Sequence, residues 1–349
     1  MKNRSFLVLF VSIGLVLVLA ALPFMAACAK PAPSPTPKTI KWLYSFGIPR
    51  KSLWSWDHAG EKYCQLVNER SGGRLQIVLM SCPELGYQGS ENLRIVRDGL
   101  ADMVCIDSGY VAGDMPYWGT LDLPMFIPSW EKVRGTTEAV REIRQKELLD
   151  KFNCIEVLFS SYTSFVYFFD KNPPKKVADF QGRKTRVTGI VPSLLVKTLG
   201  ATPVVIAGPE LYTSVQQGIV DSVITMPGFA LGLSLQEVLH YYIQAPLWAP
   251  NFAVLVNKDS FDKLPSDLQK IVLDTGKELS EEAWVLSLQK KDEDLQKWQA
   301  AGGTEAFLDP GEVKKIEALG PAIWKKWYDE IADETAKQAF DVANKYLGR

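Results

Sequence analysis

The chain has 349 residues, 47% of them hydrophobic and 23% charged, which places it among globular proteins and outside the disordered class. With 39 basic and 40 acidic side chains the formal net charge is −1, so bulk charge draws it neither to nucleic acid nor to acidic lipid. Basic pairs such as Lys175-Lys176 and Lys290-Lys291 have acids nearby and read as solvated surface.

Lys2 and Arg4 precede an apolar run from Phe6 to Phe24. That run approaches the roughly 20 residues needed to cross a bilayer. A short basic start followed by small residues is, however, the layout of a secretion signal. Met25-Ala26-Ala27-Cys28 resembles a lipobox, which predicts a signal peptide over 1–27 and lipidation of Cys28. An uncleaved anchor helix and ordinary cleavage nearby are the alternatives. Residues 28–38 continue as a tether, and four prolines between positions 29 and 38 make it stiff and extended. The remaining chain, about 310 residues, is long for one core and comfortable for two.

Residues 40–46 read as a first strand. Trp56, Ala59, Tyr63, Leu66 and Val67 recur at helical steps and predict a helix over 53–70, with Ser52 as N-cap and Gly72-Gly73 closing the turn after it. Leu75–Met80 is a second strand, Asn92–Asp98 a helix stopped by Gly99, and Met103–Ile106 a third strand. A helix over 130–150 and strands near 155–159 and 165–169 follow. Lys184–Val187 is a short strand; Pro192 opens a helix that Gly200 closes. Pro203–Ile206 is apolar without alternation and predicts a strand buried on both faces. Gly208-Pro209 starts another helix, Gly218 ends it, and Ile219–Met226 is a strand. Strand–helix alternation of this kind predicts parallel sheets, with small ligands beyond the strands' carboxyl ends. A strand at 252–257 precedes a long helix from Pro265 towards Ala300, and 311–347 is amphipathic helix with its aromatics turned to the core.

The span 179–222 carries a resemblance. Asp179-Phe180, Gly182, Lys184, Arg186, Leu199-Gly200-Ala201, Pro203-Val204, Glu210, Tyr212, Gln216, Gly218 and Val220-Asp221 stand in order as in the second lobe of TRAP (tripartite ATP-independent periplasmic) transporter solute-binding proteins. Weaker similarity covers Ser71-Gly72-Gly73, Leu85-Gly86, Asp98-Gly99, Asp102-Met103, Leu123-Pro124 and Leu264-Pro265. The resemblance implies an α/β, two-lobed periplasmic-binding-protein architecture with a long helix crossing both lobes. Lobe I would comprise 39–163 and 251–290, and lobe II 164–250 and 291–349. It further implies an exported receptor that captures an organic acid between its lobes and hands it to a TRAP-type permease, without cofactor or catalysis.

Arg186 is the principal candidate site residue. A guanidinium presents a planar fork that matches a carboxylate and never deprotonates. The plain alternative is a surface arginine paired with an acid such as Asp179. The family often has a second arginine on the preceding strand; here no arginine lies between Arg144 and Arg183, and Phe165, Val166 and Tyr167 occupy the place. One arginine predicts a monocarboxylate with an apolar body. Thr225 falls where relatives place a ligand-facing Asn or Trp, and Ile224 replaces a Glu that holds a cation in some of them, so no metal is expected. By the same alignment Ser45, Asp107 and Tyr110 face the cleft, with Tyr44, Phe46 and Trp118 near enough to form apolar walls; ordinary packing is the alternative for each.

Enzyme motifs are absent: there is no nucleophile elbow, zinc-protease motif, Walker loop or dinucleotide fingerprint. His58 and His240 are the only histidines. Cys64, Cys82, Cys105 and Cys154 form no Cys-x-x-Cys pair, which argues against structural zinc. Export permits a Cys64–Cys82 bridge, but spacing does not establish one. Two rival functions stay open: a binding protein for another transporter or sensor class, and an extracytoplasmic enzyme on the same fold.

Overall fold

The computed structural model describes residues 39–48, 54–162, 165–243, 245–290, 292–306 and 308–349. The expected signal segment, Cys28, the tether and the Ser52 cap lie outside the described residues.

β1 (Ile40–Phe46), β2 (Leu75–Ser81), β3 (Met103–Asp107), β4 (Cys154–Ser161) and β10 (Asn251–Asn257) form one sheet, in the order β2-β1-β3-β10-β4. β1 runs parallel to β2 and β3, whereas β10 is antiparallel to β3 and β4. β3 and β10 are buried along their whole length, which their unbroken apolar runs call for. The second sheet holds β5 (Tyr167–Asp170), β6 (Lys184–Val187), β7 (Thr202–Val205), β8 (Ser222–Thr225), β9 (Tyr241–Ile243) and β11 (Thr304–Ala306), ordered β11-β9-β5-β8-β6-β7. Each sheet is the floor of one lobe.

Several expectations need correction. β7 is an edge strand with Val205 68% exposed, not a strand buried on both faces. Pro203 supplies the reason: it has no N–H for a second neighbour, and such residues belong at edges. The helix expected over 53–70 is π-wound from Trp56 to Lys62 and α-helical from Tyr63 to Arg70. Trp56 Nε1 donates to Glu61 Oε1 at 2.9 Å, and Gly60 lets this turn press on Leu79 and Phe46. The helix expected over 130–150 is two, Trp130–Ala139 and Arg141–Phe152. The long helix stops at Lys290, and a second runs from Glu293 to Ala300. Ser266–Lys290 packs on β4 and on Tyr63–Arg70, whereas Glu293–Ala300 packs on β11 and on the helix Pro227–Gly232, so the passage between lobes is made by two helices in tandem.

The C-terminal stretch forms three helices, Pro310–Ala318, Gly320–Glu330 and Glu334–Tyr346. Gly320–Glu330 packs on Ile190–Thr198 of lobe II. Glu334–Tyr346 packs instead on three helices of lobe I, Tyr117–Leu121, Trp130–Ala139 and Arg141–Phe152. Assigning all of 291–349 to lobe II was therefore too simple. Cys64, Cys82, Cys105 and Cys154 are all free thiols, with Cys82 Sγ donating to Asn92 Oδ1 at 3.0 Å.

Two crossing segments join the sheets, β4 to β5 and β9 to β10, and they bond to each other between the lobes. Tyr162 N–H donates to Pro250 O at 3.0 Å, Val166 N–H to Trp248 O at 2.9 Å and Leu247 N–H to Val166 O at 3.0 Å.

Candidate functional site

β3 ends at Asp107 in lobe I and β6 ends at Val187 in lobe II, and a cavity lies between those ends. It measures about 50 Å³ as the space open to the centre of a water-sized sphere, several times the roughly 10–15 Å³ that one water needs on that measure. Asp107, Ser108, Tyr110 and Asp122 line it from lobe I, and Arg186, Thr188 and Thr225 from lobe II. Val166, Met226, Phe229 and Trp248 supply apolar walls.

Arg186 is fully buried. Parallel pairing of β6 with β7 and β8 holds its backbone, with Arg186 opposite Val204 and Val223. Nε donates to Ile206 O at 3.0 Å. Nη1 reaches Ile224 O and Nη2 reaches Tyr110 Oη only at 3.5 Å, the outer limit of a hydrogen bond. None of these partners is a carboxylate. Asp179, the acid considered as a surface partner, is engaged elsewhere, accepting from the N–H groups of Lys175 and Lys176, and the buried Asp170 pairs with Arg183 at 2.6 Å.

On the opposite wall Asp107 Oδ1 accepts a hydrogen bond from Tyr162 Oη, while Oδ2 is buried without a partner among the described residues. Burial pushes this carboxyl up to about 7, against the Tyr162 hydrogen bond that pulls it down. Asp122 Oδ1 accepts from Ser108 Oγ at 2.9 Å. Burial pushes Asp122 up to about 8; the Ser108 bond opposes this and the Asp107 charge adds to it. Each acid sits where the chain leaves an element, Asp107 at the end of β3 and Asp122 after Tyr117–Leu121.

Of the residues expected at the site, Arg186, Thr225, Tyr110 and Asp107 line this cavity. Tyr44, Ser45, Phe46 and Trp118 do not, and that expectation is corrected. Tyr44 donates to Ala59 O at 3.0 Å within the core, and Ser45 Oγ donates to Asn92 Oδ1 at 3.0 Å. Phe46 packs edge-on against Trp56, and Trp118 stacks on Phe159. β1 is flanked by β2 and β3, and its Tyr44 and Phe46 side chains face the turns around Trp56 and Ala59, while Ile48 just beyond it reaches the cavity. Sequence reasoning passed over Ser108, Asp122, Thr188, Met226, Phe229 and Trp248. Asp122 carried a signal, a lone acid inside the apolar run Tyr117–Phe126.

Two sheets joined by hydrogen-bonded crossing segments, with a cavity at their facing strand ends, define a two-lobed ligand-binding protein. The chain belongs to bacterial extracellular solute-binding protein family 7 (DctP), whose family model matches residues 49–331. It is an extracytoplasmic solute receptor of the TRAP type. Among curated relatives it is 26% identical to the uncharacterized protein YiiZ of Salmonella typhimurium, over 65% of this chain and 70% of that one. It is 23% identical to the C4-dicarboxylate-binding periplasmic protein DctP of Rhodobacter capsulatus, over 79% of this chain and 81% of that one. Among solved structures it resembles DctP7, a Bordetella pertussis extracytoplasmic solute receptor binding pyroglutamic acid, with a TM-score of 0.82 and 22% identity, over 88% of this chain and 100% of that one.

Proposed function

We propose that this receptor captures a compact monocarboxylate between its lobes, with Arg186 as the carboxylate anchor, and delivers it to a TRAP-type permease. One observation carries the reading: a fully buried guanidinium lines the cavity, and among the described residues its hydrogen-bond partners are two backbone carbonyls and a tyrosine hydroxyl, none of them a carboxylate. A second buried arginine in the same chain is the control. Arg144, equally buried, is bound by Glu156 through Nε at 2.5 Å and Nη2 at 3.0 Å, as a purely structural buried charge must be. Arg186 lacks such a partner, and an acid arriving from solvent supplies it.

Val166 lines the cavity on the side where relatives carry a second arginine, so a second carboxylate would be buried without a cation there. The apolar walls take the body of the acid. A single guanidinium suits one carboxylate, in keeping with the pyroglutamic acid named for the Bordetella receptor rather than the C4-dicarboxylate named for the Rhodobacter one. The reading needs no covalent step and no cofactor. Residues 1–27 would act as a signal peptide, and Cys28, lipidated, with the tether to 38 would hold the receptor at a membrane. Lobe I would be 39–163 and 251–290, together with the helix Glu334–Tyr346; lobe II would be 164–250 and 291–333.

Native mass spectrometry of freshly purified protein tests the reading. A carried-over monocarboxylic acid, lost from Arg186→Ala, is expected; a carried-over dicarboxylate, sugar or cation would overturn it. Incubation of that acid with the protein should return it unchanged, and turnover would favour the enzyme alternative.

A further inference from the structure

The cavity has a second polar end that Arg186 does not serve. Asp107 Oδ2 is buried and has no hydrogen-bond partner among the described residues, while the other oxygen of the same carboxyl is held by Tyr162 Oη. Leaving such an oxygen unsatisfied is unfavourable. The neighbouring polar groups do not relieve it. Ser108 Oγ is committed on both sides, donating to Asp122 Oδ1 at 2.9 Å and accepting from Asn251 N–H at 3.2 Å. Gly47, on the chain beyond β1, comes so close that a Cβ there would lie 3.3 Å from Asp107 Oδ2. The residue lines the cavity from lobe I, whereas Arg186 lines it from lobe II.

We propose that Asp107 is a specificity-determining residue: the ligand carries an N–H or O–H donor besides its carboxylate, and Asp107 Oδ2 accepts that donor while Arg186 holds the carboxylate. The proposal rests on the carboxylate reading of Arg186 and adds the second pole. It names the ligand class as compact acids with a nitrogen or hydroxyl donor, such as lactam acids, cyclic amino acids and 2-hydroxy acids, over plain or 2-oxo acids of the same shape. Sites built to bond a ligand's N–H reject isosteres lacking it far more strongly than they reject a missing methylene, because a buried polar group is then left unpaired. One ligand bonded to both poles also ties the lobes together, so the donor contributes to closure.

Matched pairs test this by calorimetry on protein stripped of carried-over acid by unfolding and refolding. Pyroglutamate is compared with 5-oxotetrahydrofuran-2-carboxylate, and proline with tetrahydrofuran-2-carboxylate; the first pair replaces a neutral N–H by ring oxygen, the second a charged ammonium N–H. The donor-bearing member of a pair should bind at least about tenfold more tightly, and Asp107→Ala should abolish the preference. Equal or tighter binding of the oxygen members by wild-type protein would overturn the proposal, and needs no variant to fold. A preference that survives in Asp107→Ala would overturn it too. If neither pair binds, the acid carried through purification decides: one with no N–H or O–H beyond its carboxyl contradicts the proposal, and one with such a donor supports it. Arg186→Ala in the same titrations separates the two readings, since binding insensitive to that change sinks the carboxylate anchor itself.

Discussion

At the scale of single residues, the two buried arginines and the two buried acids of the cavity wall divide the structural work from the binding work. Asp107 and Asp122 have folded-state values of about 7 and about 8, raised by burial, against an unfolded carboxylate value of about 3.9. The sign follows from proton counting. Between pH 4 and 8 the folded chain holds more protons than the unfolded one, so their contribution to stability is complete at low pH and declines as pH rises through the folded values. Ligand-free protein should melt at a higher temperature near pH 5.5 than near pH 8.5, and Asp107→Asn with Asp122→Asn should flatten that slope. Identical slopes in melts of wild type and double variant would contradict the assignment. These acids illustrate what was legible. Arg186 was readable because glycines, prolines and a buried strand fix its backbone within a short pattern. Asp122 was missed because its meaning depends on Ser108 and Asn251, which come to it from two other elements.

At the scale of elements, the pair Arg144–Glu156 ties the helix Arg141–Phe152 to β4. The fully buried guanidinium also lies over the Phe159 ring, 3.7 Å from its centroid. Glu156→Gln should destabilise the fold by about 3–5 kcal/mol, because it leaves a buried cation uncompensated. Denaturant melts should show it, and a loss below about 1 kcal/mol would mean the pair is not needed. Strand and helix order was readable from period and punctuation, but position within a sheet was not. β7 and β3 are both short apolar runs, and only the pairing partners decide that one is an edge and the other central. The break between Lys290 and Glu293 was likewise hidden, since Leu279, Ala283, Leu295 and Trp298 hold an apolar stripe across it. The two halves of that stripe bury against different lobes.

At the scale of the whole molecule, the lobes meet over the cavity through glycines. A Cβ at Gly109 would lie 2.9 Å from Thr188 Oγ1, and one at Gly189 would lie 2.9 Å from Gly109 O. The backbone bonds from Tyr162 to Pro250 and between Val166 and Leu247 and Trp248 mark the axis about which the lobes would separate and close on a ligand. Gly109→Val should hold them apart without unfolding either, weakening ligand binding roughly tenfold or more by a steric cost of about 1–3 kcal/mol. Solution scattering should then show ligand compacting wild-type protein and not the variant; equal compaction would contradict the hinge. The central claim is that Arg186 receives the carboxylate of the captured acid. Calorimetry of the co-purified acid on wild type, Arg186→Ala and Arg186→Lys tests it most directly. The account predicts a loss of about 2–5 kcal/mol for alanine and a clear impairment for lysine, whose ammonium cannot form a two-pronged contact. Unchanged affinity in folded Arg186→Ala would contradict it.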